Sequence, residues 1–169
     1  MISVTDAIYG RRSIRKYTEQ KVDRETLTEL IKLATAAPSA RNARPWEFVV
    51  VTDEAVIDQF RKNLQYAKMN APAAIIVCGN KKAFAEGETY WIQDCSAAME
   101  NILLGALAYD LGTVWIGVHA DQEKIEVIRN AVHLPEDVVP VGMCYVGYPA
   151  EEKEPRTQYE EDLLHWDKY

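Results

Sequence analysis

Residues 91–111 read WIQDCSAAMENILLGALAYDL, and the reading of this stretch decides the fold. Ala, Leu and Met dominate it and polar residues are few, so it is expected to form a long helix, almost wholly buried and about 30 Å in length. Gly112 stands where a glycine usually closes a helix. A helix apolar nearly all round is either the centre of a larger core or an interface helix. The chain has 169 residues, enough for one domain that buries about 70% of the surface its unfolded form exposes. In a domain of that size we read a homodimer whose subunits share the helix, the alternative being a buried helix in a monomer.

Downstream, residues 113–118 read as a strand with Gly117 at its end, a place where a glycine lets a ligand approach the backbone. Asp121 is placed to cap a helix through Ile125 and Ile128, and residues 139–147 form another long apolar strand, with Pro140 tolerable only at its start. After Pro149 the character changes. Residues 151–169 are charged and interrupted by Tyr159, Leu163, Trp166 and Tyr169, so residues 150–169 are expected to lie as an arm on a surface, that of the partner subunit. The whole of 1–169 otherwise reads as one domain.

Upstream, residues 81–90 form a polar crossing, either a cover over a site or a surface loop. Residues 73–79 are a near-continuous apolar strand of the kind covered on both faces, and residues 48–52 are β-branched and aromatic enough for a strand. Asp53 caps a helix carrying Val56, Ile57, Phe60 and Leu64, and Asp23 one carrying Leu27, Leu30, Ile31 and Ala34, which Pro38 stops. Ser3 and Asp6 open a first short helix that ends at Gly10.

Two connections carry chemistry. Arg11, Arg12, Ser13 and Arg15 crowd three guanidinium groups and a hydroxyl into a joint between elements, which is either a solvated basic turn or an anion site, since the rigid fork of arginine matches phosphate. Residues 37–46 lie between elements that need only about 2 to 6 connecting residues, and Pro38 and Pro45 stiffen them. They are an ordinary turn anchored by Trp46 or a binding loop.

With 19 Lys+Arg against 26 Asp+Glu and a net charge of -7, the chain lacks the cationic balance of a nucleic-acid binder, so any anion site must be local. The longest apolar run, residues 71–78, is too short to span a membrane, and residues 1–6 lack the pattern of a leader, giving a cytoplasmic reading with no membrane partner. Cys78, Cys95 and Cys144 sit in apolar segments as reduced thiols, and the three histidines lack ligand spacing, so no metal is expected.

The ordered set RRSIRKY at 11–17, APSARN with Pro45-Trp46 at 37–46, the long helix leading into GTVWIG at 112–117, and Gly147-Tyr148-Pro149 followed by Lys153 and Arg156 resembles the nitroreductase family of flavin enzymes across nearly the whole chain. The resemblance implies an α+β fold with a mostly antiparallel central sheet flanked by helices, and an intertwined homodimer with FMN at the interface. It places Arg11, Arg12, Ser13 and Arg156 on the FMN phosphate and ribityl chain, and Arg15 at the N1 edge of the ring. Pro38, Ser39, Ala40 and Asn42 match the loop that reaches the ring from the other subunit. Trp115, Ile116 and Gly117 match the segment lying against the ring, with a backbone N–H toward N5. Arg15 and Gly117 then act as electronic support and no side chain is itself catalytic, because the flavin carries the chemistry. The implied activity is ping-pong transfer of hydride from NADH or NADPH to an acceptor such as a nitroaromatic or quinone. A reductive dehalogenase on the same fold, or a protein that stores or senses FMN without turnover, are the alternatives. Two departures from the family pattern are Arg44, where glutamine is common, and Glu154, where lysine is frequent; Lys153 is the candidate to compensate for the second.

Overall fold

Oxygen-bearing side chains start four helices by accepting backbone N–H groups that would otherwise be orphaned. Ser3 accepts from Asp6, Asp23 from Thr26, Asp53 from Ala55, and Asp121 from Lys124. The structure, a computed structural model, describes residues 2–85 and 87–169. Its elements run α1 (Val4–Gly10), α2 (Arg24–Ala34), β1 (Trp46–Val51), α3 (Glu54–Asn63), β2 (Ala73–Asn80), α4 (Tyr90–Ala106), β3 (Gly112–Gly117), α5 (Gln122–Val132) and β4 (Val138–Gly147), with short 3-10 turns at Ala40–Asn42, Lys81–Ala83, Leu107–Tyr109 and Glu161–Leu163.

The four strands pair in the order β1-β2-β4-β3, every pair antiparallel. Successive side chains of a strand point to opposite faces, and the two inner strands are covered on both. On one side Ile75, Val77, Cys144 and Val146 pack with Leu27 and Leu30 of α2 and with Met99 and Ile102 of α4. On the other, Ile76, Met143 and Tyr145 pack with Ile57 and Phe60 of α3 and with Ile125 and Ile128 of α5. Double coverage explains why β2 and β4 read as continuous apolar runs. The result is the α+β layering with an antiparallel sheet that the family resemblance implies.

Pro140 lies at the third position of β4 rather than at its start. It is opposite Cys78, beside a register shift between Val77 and Cys78. The bulge accommodates a residue that has no N–H to give to the ladder.

The long helix is shorter than residues 91–111, and Gly112 does not cap it. Leu107–Tyr109 forms a 3-10 turn, and Asp110 takes the left-handed conformation at φ 56. The Leu111 N–H then returns to the Ala106 carbonyl at 3.0 Å, and Gly112 becomes the first residue of β3. Nor is the helix wholly buried: Asp94, Cys95, Ala98, Met99, Ile102, Leu103 and Ala106 form its buried stripe, while Ile92, Ala97 and Leu104 remain partly exposed. The sheet and α2 cover one side of α4 only.

Cys78, Cys95 and Cys144 are buried and unpaired, and burial pushes their thiols up to about 12, which keeps them protonated and unreactive near neutral pH. Among the described residues no helix is long and apolar enough to cross a membrane.

Candidate functional site

The arginine segment is seated by its two apolar members. Ile14 is 9% exposed and Tyr17 3%, whereas Arg15 and Lys16 between them face outward. Ile14 packs on Gly112, where an added Cβ would come within 2.8 Å of it, and Tyr17 packs on Gly147, where the corresponding approach is 2.9 Å. The backbone agrees with the packing: the Ile14 N–H donates to the Thr113 carbonyl at 2.8 Å, and the Tyr17 hydroxyl donates to the Ile14 carbonyl at 2.6 Å. Ser13 forms a parallel bridge with Thr113 beside the first turn of β3. The cations therefore stand on a fixed strip at the edge of the sheet.

The chain after β4 folds back along this strip. Ala150 donates to the Lys16 carbonyl at 2.9 Å, and the Arg156 N–H donates to the Tyr9 carbonyl at 3.1 Å, which brings Arg156 beside the end of α1 and Arg11. Glu151 accepts from the Arg15 N–H at 2.5 Å and the Lys16 N–H at 3.3 Å. The first of these bonds is the main reason its carboxyl titrates below its ordinary value. Lys153, the candidate to compensate for Glu154, donates to the Ser13 carbonyl at 2.5 Å and pairs with Glu151 at 3.2 Å. Arg12 donates to the Glu154 carbonyl, so position 154 meets the arginine segment through its backbone. Arg11 lies 3.6 Å from Glu100 of α4, whose carboxyl is raised by burial against the opposing pull of Arg11.

Arg15 enters a cleft of about 530 Å³ together with Trp115, Ile116 and Gly117. A side chain at Gly117 would meet nothing within 4 Å, so the backbone there faces open space. Trp115 is held from behind by Gly142, since a Cβ there would come 2.3 Å from the indole Nε1. The cleft also takes in Gln65, Tyr66, Lys68, Met69 and Lys124, none of which sequence reasoning singled out. The available signal was the polar Gln65-Tyr66-x-Lys68 between a helix and a buried strand.

The loop with Pro38, Ser39, Ala40 and Asn42 does not line that cleft. It stands against the start of α4, where the Ala40 N–H donates to Asp94 Oδ1 at 3.0 Å and Arg41 pairs with Glu88. Asp94 is 6% exposed and its Oδ2 has no partner among the described residues. Ser39 closes the loop on itself by accepting from the Arg44 N–H at 3.0 Å. Arg41, Asn42 and Arg44 have φ of 53, 56 and 48, a left-handed conformation that costs a non-glycine residue about 1 kcal/mol or more. Such strain persists only where surrounding contacts over-determine it, which is a mark of a functional loop. The Arg44 side chain is exposed.

The chain as a whole is similar to known proteins in sequence and in fold. The sequence model of the nitroreductase family matches residues 8–67 and 58–148. A protein of Archaeoglobus fulgidus, provisionally described as an NADH dehydrogenase/NAD(P)H nitroreductase, is 38% identical over 96% of each chain. A crystal structure under the same provisional description from Bacteroides thetaiotaomicron superposes with a TM-score of 0.94 at 39% identity, over 100% of this chain and 99% of that one. A provisionally described nitroreductase from Desulfovibrio desulfuricans, solved in complex with FMN, has a TM-score of 0.85 at 28% identity over 100% of this chain and 99% of that one. The chain belongs to the nitroreductase family.

Proposed function

We infer that the protein is an FMN-dependent NAD(P)H oxidoreductase that works by ping-pong, the nicotinamide donor and an oxidised acceptor such as a nitroaromatic or quinone using one cleft in turn. The observation that carries this reading is the meeting of Arg15 with Trp115, Ile116 and open-faced Gly117 in a single cleft. The flat ring of FMN would be held there, with the Gly117 backbone on one side and the Arg15 cation lining the same cleft. When bound, FMN supplies hydride acceptance and donation at N5.

The protein's part is position and field. Arg15 stabilises negative charge that accumulates at the edge of the ring on reduction, and the Gly117 backbone lies against the ring. Arg11, Arg12 and Ser13 hold the phosphate end with Arg156, which the Tyr9 contact brings to the same strip. Glu100, 3.6 Å from Arg11, would compete with the phosphate for that guanidinium. The sequence contains no G-x-G-x-x-G unit, so the donor stacks in the cleft rather than occupying a dinucleotide fold.

The working unit is a homodimer in which Pro38, Ser39, Ala40 and Asn42 reach the partner's cleft. Two features support it. The face of α4 turned from the sheet is only partly covered, and Leu163 and Trp166 in the arm are 71% and 80% exposed within the chain. Such an apolar surface is the composition of an interface core.

An absorbance spectrum of the purified protein before and after anaerobic NADH or NADPH tests the reading. A yellow protein that bleaches on addition is expected. A colourless protein that gains no FMN on reconstitution overturns it, and a yellow protein that stays oxidised makes it a flavin binder.

A further inference from the structure

The strained loop has few ties to the rest of the chain. Most of its hydrogen bonds close it on itself, from the Asn42 N–H to the Ser39 carbonyl and from the Ala43 N–H to the Ala40 carbonyl, each at 3.0 Å. Among the described residues two bonds join residues 38–44 to another element, the Ala40 N–H donating to Asp94 Oδ1 at 3.0 Å and Arg41 donating to Glu88. The second joins side chains that are 66% and 25% exposed, and an exposed pair contributes little. Asp94, by contrast, is buried. We propose that Asp94 is the positioning residue that sets this loop for the partner's cleft. The inference rests on the homodimeric flavin reading and adds to it the residue that fixes the loop's shape.

Asp94 stands on a rigid platform, because the start of α4 is pinned to β2. A Cβ on Gly79 would come 2.3 Å from the Trp91 ring, and the Cys95 thiol donates to the Cys78 carbonyl at 3.4 Å. Asp94 lies between those two contacts in the chain, so the sheet fixes where its carboxylate stands.

Stability does not account for a carboxylate at this place. One oxygen of Asp94 accepts the Ala40 N–H and the other has no partner among the described residues. A buried carboxylate so poorly satisfied costs the fold more than an apolar side chain of its size. What it holds is also unfavourable in isolation, since Arg41, Asn42 and Arg44 have φ of 53, 56 and 48. The Ala40 amide directly precedes these residues, so the bond to Asp94 fixes the point from which the backbone turns into the left-handed region. A costly acceptor placed on a strained backbone serves the shape of the loop rather than the stability of the chain. That shape matters because Ser39, Ala40 and Asn42 are the residues offered to the partner's cleft.

The test compares the wild type with D94L, which keeps the outline of the side chain and removes both oxygens, and with D94N and E88Q. Hydrogen exchange at the Ala40 amide, the FMN dissociation constant by fluorescence titration and the urea midpoint are measured for each. In D94L both the exchange rate and the FMN dissociation constant should rise about tenfold, the lower end of what a hydrogen bond to a charged group contributes. Its urea midpoint should be no lower than that of the wild type. D94N keeps an acceptor for Ala40 and should recover most of both effects, and E88Q should change each by less than twofold. A mixed dimer of one D94L chain and one R11A chain should keep one tight FMN site, where the intact loop meets the intact arginine strip. Wild-type exchange or wild-type FMN affinity in D94L overturns the proposal, as does a D94N variant as weak as D94L. So does a loss of FMN matched by a lowered urea midpoint or by failure to fold, because Asp94 would then merely hold the chain together. A mixed dimer without a tight site overturns it by returning the loop to its own subunit's cleft. Failure of the wild type to hold FMN instead defeats the flavin reading, and Ala40 exchange in D94L and D94N still decides whether Asp94 sets the loop.

Discussion

Replacing Gly112 by alanine should unseat the arginine strip. The new Cβ would stand 2.8 Å from Ile14 Cβ and Cγ1 and 2.9 Å from Cγ2, where ordinary contact begins at 3.4 Å. The deficit is 3.4 − 2.8 = 0.6 Å. A rotamer change cannot relieve it, because Ile14 Cβ itself is in the clash, so the strip must move as backbone. Its bonds at 2.8 Å to Thr113 and 2.6 Å from Tyr17 resist that movement. Overpacking of this kind costs about 1 to 3 kcal/mol of stability. Partial loss of the arginine contacts should weaken FMN binding by about 1 to 2 kcal/mol. Urea denaturation and FMN fluorescence titration measure the two terms. Ile14→Gly alone costs about 3 to 5 kcal/mol through the cavity it leaves, but combined with Gly112→Ala it removes the Cβ that clashes, so the double variant should recover about 1 kcal/mol relative to the sum. Wild-type stability and FMN affinity in Gly112→Ala, or strict additivity in the double variant, would refute the view that Ile14 on Gly112 seats the cations.

Arg156→Ala should weaken FMN retention by about 1.5 to 3 kcal/mol, the worth of a charge-assisted contact, read by fluorescence titration; an unchanged dissociation constant removes Arg156 from the phosphate. Arg15→Ala should lower the flavin midpoint potential with a smaller effect on affinity, and a potential that stays put in spectroelectrochemical titration shows that Arg15 does not face the ring edge. Glu151 titrates below its ordinary 4.5, so its tether on Arg15 and Lys16 is complete above that pH and is lost as pH falls through the lower folded value. Hydrogen exchange at the Arg15 and Lys16 amides should accelerate correspondingly in acid beyond the intrinsic trend, and E151Q should show the weakened protection already at neutral pH.

Features set by local chemistry were legible in the sequence. Ser3, Asp23, Asp53 and Asp121 cap the helices they were expected to cap, because a capping bond reaches only two or three residues ahead. The arginine joint stood out by composition alone, while its seating by Ile14 and Tyr17 on Gly112 and Gly147 depends on packing that the pattern does not record. What was misread depends on distant partners. Gly112 has the residue type of a helix cap, but Ile14, remote in sequence, is what requires a glycine there. Pro140 is accommodated by a bulge opposite Cys78, which no pattern along β4 announces. Gln65, Lys68 and Lys124 were passed over because neither their spacing nor their composition marks a site; a shared cleft does. The loop at Pro38 to Asn42 read as an ordinary turn or a binding loop, and the left-handed backbone at Arg41 and Arg44 is not marked by those residue types.

The strip that carries the arginines also has a second office. β3 is an outer strand of the sheet, and the parallel bridge from Ser13 to Thr113 runs along its free side. An uncovered strand edge is a template on which other chains pair and aggregate. Whatever loosens this strip, whether a poorly placed methyl or the loss of Glu151, therefore opens a sticky seam as well as a weakened pocket, so solubility and cofactor retention should decline together.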